Sequence, residues 1–264
     1  GSLQSGDTAP INESVEISAT RIYDIIRQVF SQEGEDIVTL NVLDVVFCDD
    51  PSCGNCADDS AGCEKIYAIT VAESGSPGVP PSILWSLDGG LVWDADDITP
   101  LAGDDPDDIA CVSGYVVVTS NVTNLFYYTL QTNLFLGAFS VVWLTSPIAG
   151  AIGGFNANGA PNDIVSVGTK AWVVGDNGYI YVMRDPAAGV TVQAAGDVTT
   201  ARLAKVDALN ENRAVAVGGN ATVVFTIDGE TWEVTQNNPV PFATDLVSVV
   251  MKNNSVWFVG DEDG

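Results

Sequence analysis

From residue 36 onward the chain is a succession of short apolar runs, each closed by Gly, Asn, Asp or Pro. Runs such as "LNVLDVVF", "KIYAITVA", "SILWSLDGG" and "LVWDADDI" are too short for ordinary helices. They are rich in the β-branched and aromatic residues that fit a pleated surface, so they predict strands. These runs supply four successive strands, and "DIACVSG", "YVVVTS", "NLFYYTL" and "GAFSVVWL" supply four more. Strands joined by short connections pair as antiparallel neighbours.

The second half repeats openly. Aligning "AWVVGDNGYIYVMRD", "AVAVGGNATVVFTIDG" and "SVWFVGDEDG" puts Gly175, Gly218 and Gly260 in register, 43 and 42 residues apart. Upstream of each glycine lies a further alternating segment, in which Val165, Val206 and Val247 recur at intervals of 41 residues. Each unit reads strand, turn, strand ending in Gly, turn, strand, Asp-containing turn, strand. Four short strands in about 42 residues is the size of a β-propeller blade.

The expectation is therefore an all-β chain: a β-propeller over residues 36–264, with four blades and the first half of a fifth, and a cysteine-rich insertion at 48–63. "VWFVGDEDG" stops where a third strand is due, so the pattern reads as cut short and leaves the blade number of the full chain open. Residues 1–35 form a separate N-terminal segment, in which residues 15–30 alternate well enough to supply a ring-closing strand.

Composition sharpens this picture. The 264 residues can bury a full core, and no run approaches the roughly 18 apolar residues of a membrane helix, so membrane insertion is not expected. With 35 Asp and Glu against 9 Lys and Arg, the net charge of -26 repels phosphate backbones and anionic lipid, which argues against nucleic acid as a partner. The acids gather in segments such as "DADDITPLAGDDPDD", read first as a solvated surface and second as loops able to hold calcium. The opening "GSLQSGDTAP" shows neither the basic nor the apolar run of a secretion signal. Sequons at Asn12, Asn121, Asn220 and Asn253 matter only in a secretory setting.

Two stretches share a motif. "SLDGGLVW" runs from Ser86 through Asp88 and Gly90 to Trp93, and "TIDGETW" runs from Thr226 through Asp228 and Gly229 to Trp232. An Asp side chain can accept hydrogen bonds from the N–H groups of its own turn, Gly supplies a positive φ, and the hydroxyl ties the turn to its strand. The Trp then packs its large face between sheets. Read this way, both stretches are folding devices, and Trp93 and Trp232 are expected at equivalent places.

These residues resemble the Asp-box of bacterial-neuraminidase repeats, with Val92 where Thr is usual and Thr226 for Ser. Together with the "VVG" strands they are similar to repeat propellers of the photosystem II assembly-factor type. Relatives of that type include sialidases, secreted glycosidases and virion proteins of tailed phages. The resemblance implies a fold and leaves function open. A sialidase implies three arginines gripping a carboxylate, and the five here, Arg21, Arg27, Arg184, Arg202 and Arg213, lack that setting. With no histidine in the chain, His-dependent nucleophilic catalysis has no base. A glycosidase needs only two carboxylates at the right separation, which 35 acids can supply.

The densest local chemistry is "CDDPSCGNCADDSAGC", with Cys48, Cys53, Cys56 and Cys63. Two disulfides stapling a surface hairpin are preferred over one zinc ion held by four thiolates, because the last spacing is long for zinc and no Lys or Arg offsets the nearby aspartates. Cys111, in a strand-like run, reads as a buried free thiol. The function expected overall is a non-catalytic structural or recognition propeller, displayed extracellularly or on a virion. It would contact protein or glycan, with oligomers open; the alternative is an Asp-box glycoside hydrolase.

Overall fold

The computed structural model describes residues 42–49, 64–70, 81–86, 94–98, 106–113, 115–120, 125–133, 138–146, 148–149, 160–235, 244–253 and 255–261. Sheet 1 comprises β1 (Val42–Asp49), β2 (Glu64–Thr70), β3 (Ser82–Ser86) and β4 (Asp94–Asp97). Sheet 2 comprises β5 (Asp108–Val112), β6 (Tyr115–Thr119), β7 (Leu125–Asn133) and β8 (Ala138–Ser146). Then follows β9 (Ile148–Ala149), which joins sheet 3, made of β10 (Pro161–Val167), β11 (Lys170–Gly175), β12 (Tyr179–Asp185) and β13 (Gly189–Ala195). Sheet 4 is β14 (Leu203–Asn210), β15 (Arg213–Gly218), β16 (Thr222–Thr226) and β17 (Glu233–Val234). Last come β18 (Asp245–Lys252) and β19 (Ser255–Asp261), paired as sheet 5. Apart from the 3-10 turn at Asp176–Gly178, the regular structure among the described residues is strand.

Each of sheets 1 to 4 contains an antiparallel run of four strands in chain order, to which sheet 3 adds β9, and the first strand of each run lies against the first strand of the next, from β1 through β5, β10 and β14 to β18. Propeller blades succeed one another in this way. The packing explains the unbroken apolar stretches Ile66–Ile69, Val116–Val118, Ala171–Val174 and Ala214–Val217 in the second strands of sheets 1 to 4: both faces are covered there, so alternation with polar residues is lost. Ala171 and Val173 of β11 pack toward sheet 2, while Trp172 and Val174 pack toward sheet 4. In β15, Ala214 and Ala216 face back toward Trp172, and Val215 and Val217 face sheet 5. A large residue set against small ones lets the sheets interdigitate without a void.

The repeat glycines follow from a close approach of backbones. Gly175 N–H's neighbour, Asp176 N–H, donates to Ala160 O at 3.0 Å, and Gly219 N–H donates to Arg202 O at 2.8 Å. A Cβ at Gly175 or Gly218 would run into those same carbonyls. The valine alignment needs correction. Val165 pairs with Trp172, three residues before Gly175, whereas Val206 pairs with Ala216, two before Gly218. The structural equivalent of Val206 is Ile164, and Val247 falls in a bulge between Leu246 and Ser248. First strands therefore keep the same 42- to 43-residue period as the glycines.

The cysteine expectation is also corrected. Cys48 of β1 is bonded to Cys111 of β5, with Cα atoms 5.7 Å apart. The two strands belong to neighbouring sheets, and both residues pack in the core cluster between them. Cys111 is thus no free thiol, and Cys48 has no partner within the loop. That leaves Cys53, Cys56 and Cys63, which lie outside the described residues, so neither two loop disulfides nor a four-thiolate zinc site can include Cys48. Residues 1–35 also lie outside the described residues.

Candidate functional site

Two places combine polar chemistry with access. The first is a row of side chains along the first strands. Asp44, Asp108, Asp163, Lys205 and Ser248 share one register position, paired with Ile69, Thr119, Val174, Val217 and Val259 of their second strands. Asp108 accepts the N–H of Ile109 at 2.9 Å on one oxygen and the N–H of Ile164, in the next sheet, at 3.0 Å on the other. Asp163 accepts from Val206 N–H at 2.7 Å and from Lys205 Nζ at 2.5 Å. Lys205 also lies 4.0 Å from Asp108 Oδ2, and Asp44 accepts Val45 N–H at 2.8 Å. Asp108 and Asp163 therefore each fasten one sheet to the next.

Burial, helped by a hydrogen bond and charge repulsion from Asp108, pushes the Asp44 carboxyl up to about 7. Burial also raises Asp108, to about 6. For Lys205 burial acts downward, but Asp163, Asp108 and Asp44 outweigh it and hold the ammonium above its ordinary value. Above the ordinary carboxyl value, near 4, the unfolded chain has released protons that the native pair still holds. Stability is then expected to fall as pH rises from about 4 to about 7 and to level off above. Asp44→Asn should flatten that slope in thermal melts taken across the range, because the amide has no proton to lose. The two carboxyls act on one another, and their oxygens are engaged by the backbone N–H groups of Val45, Ile109 and Ile164. The row acts as a staple between sheets.

The second place is the turn from Thr226 to Trp232. Thr226 Oγ1 donates to Asp228 Oδ1 at 3.1 Å and accepts Gly229 N–H at 2.9 Å. Asp228 Oδ1 accepts the N–H groups of Glu230 and Thr231, each at 2.8 Å, and Oδ2 accepts the Thr231 hydroxyl at 2.5 Å. These donors, the Thr231 hydroxyl first, hold the Asp228 carboxyl well below the usual range. Gly229 sits at φ 76, where a side chain would be strained.

The turn is anchored to sheet 3. The buried Lys170 donates from Nζ to Gly229 O and, at 3.2 Å, to Glu211 O, and it lies 4.5 Å above the Trp172 ring. Gln193 of β13 accepts both indole N–H groups, Trp172 at 3.1 Å and Trp232 at 3.0 Å, and donates to Gly229 O at 2.9 Å. The two indoles meet edge to face, with centroids 6.3 Å apart. Beside Trp232 an open groove of about 600 Å³ is lined by Asp197, Val198, Phe225, Trp232, Glu233 and Val234, and reaches Thr235.

Of the residues marked by sequence, Thr226, Asp228, Gly229 and Trp232 meet in this one turn. Ser86 ends β3 at Thr226's register position, paired with Ile66 as Thr226 is with Ala214. Asp88, Gly90 and Trp93 lie outside the described residues. Asp94, next to Trp93, pairs with Trp85 as Glu233, next to Trp232, pairs with Phe225. Sequence reasoning missed Gln193, Lys170 and the Asp44–Asp108–Asp163–Lys205 row; the pairs Asp108-Ile109 and Asp163-Ile164 were a visible signal for the row. Among the described residues, no cluster of three or more His, Cys, Asp or Glu side chains is placed to hold a metal ion.

No family model matches the chain, and no curated protein matches it. Among solved structures it is similar to YCF48 bound to D1 peptide, at 13% identity over 85% of this chain and 76% of that one, with a TM-score of 0.41. It is also similar to YCF48 from Cyanidioschyzon merolae, at 10% identity over 74% of each chain, with a TM-score of 0.35.

Proposed function

We propose that the chain is a non-catalytic propeller that recognises a protein partner, displayed outside the cell or on a virion, with the described sheets forming a run of its ring. The observation that carries this reading is the groove beside Trp232, where Val198, Phe225 and Val234 offer apolar surface between the carboxylates of Asp197 and Glu233. Large apolar side chains left in an accessible groove with a polar rim favour a macromolecular contact. The Cys48–Cys111 bond supports an oxidising setting, and the buried carboxylates of Asp108 and Asp163 are engaged by backbone N–H groups of the next sheet. The net charge of -26 favours a partner with a basic contact surface.

A photo-reactive residue placed at the exposed Val234, compared with one at the exposed Asn210, tests the reading in material from the protein's own source. A protein adduct is expected at position 234, absent at 210, and lost in an Asp197→Lys background. Adducts to glycan alone, or turnover of a glycoside that Asp108→Asn abolishes, would overturn it.

A further inference from the structure

Resting on the protein-recognition reading, we infer that the outer edge of β17 takes up an extended basic segment of the partner as an added strand, in the way β13 takes up β9. The fold shows one such addition already. In sheet 3, β9 pairs in parallel with the outer strand, Ile148 with Val190 and Ala149 with Thr191. Thr191 is paired with Val182 across β12 and β13, and Glu233 with Phe225 across β16 and β17. Val182 and Phe225 are equivalents in the repeat, since Trp172 and Val215 are their partners on β11 and β15. Glu233 therefore stands where Thr191 stands, and the strand position filled by β9 in sheet 3 corresponds to the outer side of β17 in sheet 4. Among the described residues that side carries no further strand.

The edges differ in chemistry as well as occupancy. In sheet 1 the outer strand is "DADD", Asp94–Asp97, and a row of charges blunts an edge against pairing. In sheet 4 the outer strand is only Glu233–Val234, Val234 is 39% exposed, and the groove lies alongside. An added strand gains main-chain hydrogen bonds from the edge and places alternate side chains into adjacent pockets. Glu233 is paired with Phe225, and Val234 with Val224, which packs with Trp232 and Val198, so each face of an added strand would meet apolar surface beside a carboxylate: Phe225 with Glu233 on one, Val234 and Val198 with the neighbouring Asp197 on the other. Asp197 keeps its negative charge firmly, because backbone N–H groups, Ala195's first, hold its carboxyl below the ordinary value. The matching segment carries β-branched residues and Lys or Arg on both of its faces.

The test uses a short fluorescein-labelled peptide in which pairs of valines alternate with pairs of lysines, so that each face of the extended chain carries both, and the same peptide N-methylated at alternate residues, titrated against the full chain by anisotropy. The second peptide keeps charge and apolar surface but loses the donors of one edge. The unmodified peptide is expected to bind, about tenfold more weakly to Asp197→Lys/Glu233→Lys, and the methylated one not to saturate. Far-UV dichroism shows whether these surface variants keep the wild-type fold. Equal binding of both peptides, or binding indifferent to the charge reversal, would overturn strand addition. So would failure of either peptide to bind while the Val234 adduct still forms, which leaves protein recognition standing; loss of that adduct as well would remove the underlying reading.

Discussion

Trp232→Ala is expected to lower the unfolding free energy by about 3–5 kcal/mol, the cost of emptying a buried indole site that cannot fully collapse. Trp232 is 7% exposed and packs with Trp172, Val206, Ala214 and Val224 in the cluster that joins sheets 3 and 4. Its removal takes away the edge-to-face contact with Trp172 and deletes one of the two donors that meet on Gln193 Oε1. Gln193→Ala isolates the hydrogen-bonding part. It leaves both indole N–H groups without this acceptor, and an unmet buried donor costs about 1–3 kcal/mol. Because the two residues touch, the double variant should lose less than the two single losses added together. Urea unfolding of the three variants checks this; losses that add fully would mean that Gln193 and Trp232 act independently.

Breaking the Cys48–Cys111 bond is expected to cost a similar amount by another route. The bond spans 63 residues of chain, and closing a loop of that length restricts the unfolded state by about 4 kcal/mol. Cys111→Ser should lower the unfolding free energy from urea titration by that amount and make the midpoint far less sensitive to reductant, whereas the wild-type midpoint should fall when reductant is added. A proteolytic disulfide map is the direct check: Cys48 and Cys111 should appear in one cross-linked peptide pair. Finding Cys48 bonded to Cys53, Cys56 or Cys63 would restore the local loop staple instead.

The strands were legible because each is a short apolar run bounded by turn residues, and sheets that follow chain order need no long-range pairing information. Gly175 and Gly218 were legible for a similar reason, since a backbone held against a carbonyl admits no Cβ and the residue type reports the geometry. The bulges were not. The extra residue falls at the same place in the first strands of sheets 3 to 5, between Pro161 and Asp163, Leu203 and Lys205, and Leu246 and Ser248, so it leaves the period unchanged, and the shift came from matching valine to valine, which set Val165 against Val206 in place of Ile164. The shift hid the fact that Lys205 stands where Asp44, Asp108 and Asp163 stand in their own sheets, and so hid the charge pairing of the row. The turn at Thr226–Trp232 could be read locally because its hydrogen bonds are to its own backbone. Gln193 could not, since one indole partner comes from β11 of its own sheet and the other from the turn that precedes β17 in the next. Nor could Cys48–Cys111, for four neighbouring cysteines drew the pairing inward while the bond crosses between sheets.

Amide hydrogen exchange of the full chain, with and without the valine–lysine peptide, tests recognition at the sheet edge most directly. Slowed exchange is expected over residues 197–198 and 225–235, with the amides that bond to the carboxylate row, Val45, Ile109, Ile164 and Val206, unchanged. Protection confined to the row, with none along β17, would contradict recognition at this edge and place the binding surface on the first strands.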